Sequence, residues 1–399
     1  MNKKNNSTNN IGDETNAEKS LVETQTRKFY DLICEGCGHI NNEKKTTSFC
    51  VKCGEVLSVK YYGKLPYMQL PLKSYTPDNI RIYDSPLVKH KKVSDILGVD
   101  IYFKLESHLP SGSFKDRGSY TEVLKAKELN KKGICLASTG NMAASASMYA
   151  KAYNLDCVVF IPDSTNPSKV AQAKLAGARI ITQPLDYSGC ELKARQYAAK
   201  NDYYLGGDFV FRQEGQKSCA YELSKQIDLS SIDYLLIPCG CGTNLSAIGK
   251  GFYEMVESSV LSMNDVPKLI AVQASGSSAI VDSINKGKKS IKKSVNTMAQ
   301  ATAVCNPLDY IKVKRYLDWS HGFGINVTED DLYDAYIKQY RDTGIFAEPA
   351  GVLPYAAVLS RMDLFEGKKV ILLISGHGLK DTEAANNFDA DLTKSKTAA

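Results

Sequence analysis

Short apolar runs alternate with amphipathic stretches along most of this chain. Residues 134–137, 157–161, 179–181, 234–237, 269–272 and 370–374 are apolar at almost every position, and 101–105 is a shorter-lived run of the same kind. Such runs fit strands covered on both faces, as in parallel sheets. Between them, 120–129, 143–153, 168–176, 190–199 and 216–226 carry apolar residues at helical spacing. The alternation predicts an α/β chain with helices on both sides of its sheets. In such sheets ligands bind beyond the carboxyl ends of strands, so the residues following each run are the ones to read for chemistry.

Composition sets the scale of this picture. At 399 residues and 43% hydrophobic content, the chain can bury two ordinary α/β lobes, because a single core stops growing at roughly 250–300 residues. No apolar run approaches the ~18–20 residues that cross a bilayer, and the first residues show no secretory core, so a soluble, cytoplasmic protein without membrane partners is expected. Residues 1–27 are rich in Asn, Lys, Glu and Thr and read as a disordered tail, and 382–399 as a flexible one. A formal charge of +6 is modest for this length, and the basic run 286–293 has no aromatic residue for base stacking. It reads as a solvated loop, with no nucleic-acid partner.

The eleven cysteines fall into two groups. Cys34 and Cys37, then twelve residues, then Cys50 and Cys53 form two Cys-x-x-Cys knuckles that together can offer a tetrahedron of thiolates to structural Zn2+. Gly36, Gly38 and Gly54 lie where knuckles need permissive backbone, and Tyr30, Phe49 and Val59 can cover so small a unit. A zinc ribbon over 28–60 is the reading; two disulfides, or a ribbon that has lost its metal, are the alternatives. The other seven cysteines, from Cys135 to Cys305, sit in apolar contexts and read as reduced core residues.

Candidate chemistry stands at four strand ends. After 101–105 comes Ser111-Gly112-Ser113-Phe114-Lys115-Asp116-Arg117-Gly118, where Lys115 opens a helical segment. The positive end of a helix dipole disfavours an ammonium there and favours an amine able to attack a carbonyl. After 134–137 come Ser138, Thr139, Gly140 and Asn141, whose hydroxyls, amide and helix start suit a carboxylate. After 234–237 come Gly240, Cys241, Gly242, Thr243 and Asn244, a turn whose N–H groups can close round a phosphate. Ser375, Gly376, His377 and Gly378 follow 370–374. Taken singly, Lys115 also fits a surface lysine, and each glycine turn an ordinary connection.

Taken together, these motifs resemble the fold type II pyridoxal-phosphate enzymes of the tryptophan synthase β-like family. Arg212-Gln213-Glu214-Gly215-Gln216-Lys217-Ser218 and Ser375-Gly376-His377-Gly378-Leu379-Lys380-Asp381 narrow the resemblance to threonine synthases. It implies two doubly wound lobes, a large one over 61–100 and 205–381 and a small one over 101–204, and a homodimer. It implies pyridoxal 5'-phosphate joined to Lys115, with Asn141 at the ring oxygen, the 240–244 turn on the phosphate and Ser375 at the pyridine nitrogen. Ser138, Thr139 and Gly140 would hold the carboxylate of an amino-acid substrate, and Arg212 the leaving phosphate of O-phospho-L-homoserine. Taken alone, Arg212 also fits a surface ion pair. His377 reads as a structural strand-end residue, and Glu348 as part of a loop near the cofactor.

The chain also departs from that family. Gly206-Gly207-Asp208-Phe209 stands where an Asn and a Ser are usual ahead of the arginine, and Asp208 would repel a phosphate if it pointed inward. Tyr83-Asp84-Ser85-Pro86-Leu87 and Thr302-Ala303-Val304-Cys305-Asn306-Pro307 differ as well. A threonine/serine dehydratase or an O-phosphoserine-using β-replacement synthase is therefore the alternative enzyme. A non-catalytic scaffold that uses the ribbon as its contact module is the alternative outside enzymes.

Overall fold

A computed structural model describes residues 29–63, 68–73, 84–287 and 294–386. The expected tail at 1–27, the segment 387–399, Tyr83 and most of the basic run 286–293 lie outside the described residues. Three strands, β1 (Tyr30–Cys34), β2 (Ile40–Asn41) and β3 (Leu57–Tyr61), pair antiparallel in the order β2-β1-β3. This ribbon is seated on its own chain. Tyr30, Leu32, Leu57 and Val59 share one core with Tyr120, Val123, Ala126 and Phe211.

Next come β4 (Leu87–Lys89) and β5 (Asp100–Leu105). The strands β6 (Gly133–Ala137), β7 (Asp156–Pro162), β8 (Arg179–Gln183) and β9 (Tyr204–Leu205) form a parallel sheet in the order β8-β7-β6-β9. Finally β10 (Tyr234–Pro238), β11 (Lys268–Ala274), β12 (Phe323–Val327) and β13 (Lys369–Ile374) join β4 and β5 in the order β12-β11-β10-β13-β5-β4. Only β4 runs antiparallel to its neighbour in that sheet. One boundary needs correcting. Residues 101–105, placed at the start of the small lobe from sequence, pair along their whole length with β13 and belong to the larger sheet.

Side-chain alternation explains why the strands read as continuous apolar runs. Leu236, Ile270, Val272 and Leu372 face the helices Glu329–Thr343 and Pro349–Ser360, whereas Leu235, Leu269, Ala271 and Leu373 face Thr243–Glu257 and Tyr310–Trp319. The strands β10, β11 and β13 are therefore sandwiched, and each buried Leu or Ile contributes roughly 1.5–3 kcal/mol by leaving water. The expected helices at 120–129, 143–153 and 190–199 prove longer, opening at Lys115, Asn141 and Tyr187. Among the described residues no helix is long and apolar enough to cross a membrane.

A buried charge cluster fastens the ribbon to the large lobe. Tyr61 Oη, at the end of β3, donates to Glu214 Oε2 at 2.6 Å, and Lys217 Nζ meets the same oxygen at 2.7 Å. Lys250 pairs with Glu214 from the other side, and Glu254 balances both lysines at 2.8 and 3.1 Å. Burial alone would raise the Glu214 carboxyl, but the two ammonium charges outweigh it and hold it at about 2. A lowered folded value means stability that is present above the ordinary carboxylate range near 4.5 and lost as the pH falls toward 2. Acid unfolding of wild type is expected to lose about 3 kcal/mol across that window through this group. Glu214→Gln should flatten the slope there; an unchanged slope in urea titrations at stepped pH would contradict this assignment.

Candidate active site

Both larger sheets reverse their strand order, and the reversals face the same loops. From β10 the chain steps outward through β11 to β12, while β13 returns on the other side of β10. From β6 it steps through β7 to β8, while β9 lies across β6. A reversal leaves a crevice beyond the carboxyl ends of the strands at the switch. The 240–244 turn leaves β10, Ser375 leaves β13, the 138–141 turn leaves β6, and Gly206 to Arg212 leave β9.

Backbone bonds draw these loops together. Phe114 N donates to Ser375 O at 2.9 Å, and Glu348 N to Gly376 O at 3.0 Å. Lys115 is the first residue of the helix Lys115–Glu128, as expected. Its Nζ lies 3.1 Å from Asp208 Oδ1 and 4.7 Å from the Phe114 ring centroid, with the lysine side chain 16% exposed. Burial would raise the Asp208 carboxyl, but the charges of Lys115 and Arg212 and hydrogen bonds from Lys115 and Cys241 hold it below the ordinary range. Asp208 thus points inward, at the lysine.

The 240–244 turn meets this pair through Cys241, whose thiol bonds to Asp208 and is pushed well up by burial and then by that carboxylate. Gly242 has φ +95°, and a Cβ there would come within 2.5 Å of Val313. The turn opens the helix Thr243–Glu257, and the buried Asn244 Nδ2 has no hydrogen-bond partner among the described residues. Opposite, Asn141 Nδ2 donates to Glu348 Oε2 at 2.8 Å, and Ser375 Oγ to Glu348 Oε1 at 3.2 Å. Burial raises the Glu348 carboxyl, and the two donors pull against it. Ser138 Oγ accepts from the N–H groups of Gly140 (3.3 Å) and Ala143 (3.2 Å), fixing the turn in which Thr139 and Gly140 stand half-buried.

Arg212 is a buried ion pair, not a surface one. Its Nη2 meets Glu122, Nε donates to Gly207 O at 2.9 Å, and Nη1 reaches Lys115 O and Ser119 Oγ, both at 3.3 Å. Glu122 in turn accepts from Gly207 N at 3.1 Å. No motif marks Glu122 in the sequence; its only signal is spacing, since Lys115, Ser119 and Glu122 recur at i, i+4 and i+7 on one helix face. Glycines let the two helices cross this closely: a Cβ on Gly118 would strike Arg212, and one on Gly215 the Arg117 carbonyl. His377 Nδ1 accepts from Leu379 N at 3.1 Å.

The four ribbon cysteines converge, with all four Sγ atoms within 4.8 Å of one another. Cys34 and Cys53 sulfurs are 3.3 Å apart and those of Cys37 and Cys50 3.8 Å. Thiolates around zinc at about 2.3 Å stand roughly 3.8 Å apart. N–H groups of Cys37 and Lys52 and the Asn41 amide point at Cys34 and Cys50 sulfurs, as thiolate knuckles require. Of the remaining seven cysteines, Cys241 and Cys305 are only half-buried, so the core reading holds for five.

Comparison with known proteins agrees with this geometry. The family model described as pyridoxal-phosphate dependent enzyme matches residues 80–376. The chain is 32% identical over 309 residues to a threonine synthase of Methanocaldococcus jannaschii, covering 75% of this chain and 76% of that one. A threonine synthase of Methanosarcina acetivorans is 30% identical over 380 residues, covering 89% and 93%. Among solved structures, maize serine racemase superposes with a TM-score of 0.67 at 22% identity, covering 79% of this chain and 94% of that one. The processed form of threonine deaminase isoform 2 from Solanum lycopersicum gives 0.68 at 21%, covering 76% and 87%. At those identities the two structures speak to the fold alone.

Proposed function

Because this chain belongs to the pyridoxal-phosphate-dependent enzymes, among their threonine synthases, we propose that it converts O-phospho-L-homoserine and water to L-threonine and phosphate. The observation that carries this reading is the similarity to threonine synthases, 32% identity over 309 residues in one and 30% over 380 in another.

The residues present fit the cofactor. Lys115 supplies an amine inside a crevice, the 240–244 turn supplies backbone N–H groups and the unpartnered Asn244 amide for a phosphate, and Asn141 and Ser375 supply polar groups for the ring edges. When bound, the cofactor supplies an electron sink that lets protons leave carbon. Lys115 Nζ would hold the cofactor and would be the base that carries those protons. Ser138, Thr139 and Gly140 stand at a helix start suited to the substrate carboxylate. Arg212, which the resemblance would give to the leaving phosphate, stands buried behind the 206–209 turn. Its nitrogens are taken by Glu122, Ser119 and backbone oxygens, so its contribution is the field it sets against Asp208.

That same Asp208 favours a second reading, a serine/threonine dehydratase, whose substrate brings no phosphate to meet a carboxylate. Product analysis separates them. Cofactor-loaded protein given phosphohomoserine should release threonine and phosphate; release of an oxo acid and ammonia from threonine, with phosphohomoserine untouched, would overturn the first reading. In the ribbon, Cys34, Cys37, Cys50 and Cys53 hold structural zinc, and metal analysis of the purified chain should find about one zinc per chain.

A further inference from the structure

Phe49 precedes the ligand-type residue Cys50, and its ring reaches from the ribbon to the 206–209 turn and to the helix Tyr187–Asn201. Its ring meets Phe209 edge-on, with centroids 5.1 Å apart and planes at 74°, and the Arg195 guanidinium lies 4.6 Å over its centroid. The ribbon holds the backbone under that ring. Phe49 bridges to Val56, its carbonyl accepts from Thr46 Oγ1 at 2.8 Å, and Cys50 N donates to Glu55 O at 2.8 Å.

The turn on the other side is built to receive it. Phe209 N donates to Gly207 O at 2.8 Å, folding Phe209 back over the glycine. A Cβ on Gly207 would stand 2.5 Å from the Phe209 ring, and one on Gly206 would stand 2.9 Å from Ile134. Gly207 is thus what lets Phe209 fold back over the turn, while Gly206 lets the turn lie against Ile134. Between Gly207 and Phe209 stands Asp208, turned the opposite way, at Lys115. One turn therefore has two ends: an aromatic side chain on the ribbon and a carboxylate on the lysine. Its second anchor is the Gly207 peptide, whose N–H and C=O are held by Glu122 and Arg212.

We infer that Phe49 is a positioning residue through which the four-thiolate ribbon sets the 206–209 turn, and with it the place of Asp208 against Lys115. The inference rests on Lys115 being the cofactor lysine, and on the four cysteines holding a metal that keeps the ribbon in shape. Phe49 touches no reacting atom.

The test uses the full chain with Phe49→Ala and Phe49→Tyr. Three quantities are measured: bound zinc, amide hydrogen exchange at residues 206–209, and the rate at which cofactor-free protein captures added pyridoxal phosphate in borohydride-fixable form. Phe49→Ala should keep its zinc, exchange those amides about tenfold faster, and capture cofactor about tenfold more slowly as the lysine and its partner lose their fixed geometry. Phe49→Tyr, which keeps an aromatic edge for Phe209, should restore both. Wild-type exchange and capture in zinc-loaded Phe49→Ala would overturn the inference. If Phe49→Ala loses zinc, Phe209→Leu cuts the same contact from the other side, and wild-type behaviour there would overturn it equally. Neither readout uses a substrate, so a failure to form threonine strikes the proposed reaction and leaves this coupling standing.

Discussion

Lys115→Ala is expected to lower turnover by on the order of 10³-fold or more, because one side chain both holds the cofactor and moves protons. The variant should also lose the visible absorbance that borohydride fixes in wild type. Its fold should survive. The lysine ammonium meets one carboxylate and the face of Phe114, so truncation breaks a single ion pair. Asp208, left without its partner, still has Arg212 and Cys241 beside it. The control is the urea midpoint, which should stay close to that of wild type. Cofactor-dependent turnover within a few-fold of wild type in Lys115→Ala would remove the assignment of this residue and with it the proposed mechanism.

The largest stability effect is expected at Arg117, two residues further along. Its guanidinium is 1% exposed and lies between Glu106, met by Nε at 2.6 Å and Nη2 at 2.7 Å, and Glu222 at 2.8 Å. Lys104 shares Glu222 and also donates to Ser85 O at 2.8 Å. Two cations and two carboxylates thus balance in a space closed to water. Burial would raise the Glu106 carboxyl, but Arg117 and then Lys104 outweigh it and hold it below the usual range. Arg117→Met fills the volume but strands Glu106 without its fork of donors. Removing one partner of a buried pair costs about 3–5 kcal/mol, a large part of the roughly 5–15 kcal/mol that a domain commands. Chemical denaturation should register that loss, with Glu106 taking up a proton in the variant. A change below about 1 kcal/mol would mean that the cluster is solvated and the buried-pair account is wrong. Since Arg117 also stands in the first turn of the helix that Lys115 opens, a milder variant, Glu222→Gln, separates loss of fold from loss of site geometry.

Residues whose meaning depends on near neighbours were legible in the sequence. Five of the six apolar runs are strands because four or five consecutive apolar side chains can be buried only when both sheet faces are covered, as they are; the sixth, 179–181, is a strand at the sheet's edge with Arg179 exposed and its isoleucines half-buried. The Cys-x-x-Cys pairs announced their own convergence, since each spacing closes a knuckle locally and two knuckles complete a tetrahedron. Lys115 at a helix start and the 240–244 turn after β10 were likewise local features.

What the sequence left open was set by pairings between distant segments. Asp208 was a misgiving about phosphate binding until the fold put it 3.1 Å from a lysine 93 residues away. Glu348 reads from sequence only as part of a loop near the cofactor; its partner Asn141, 207 residues distant, is supplied by the fold. Arg212 looked free to hold a substrate, but the crossing of two helices gave it Glu122. Whether the ribbon stood apart was also undecidable, because Phe49 acquires a partner only when β9 and the turn after it are laid beside the small sheet. Hydrophobic period and knuckle spacing act over a few residues, where the chain's own geometry dictates the result. Charge compensation acts through space, between groups whose adjacency exists only once both sheets are folded and water has been driven from between them.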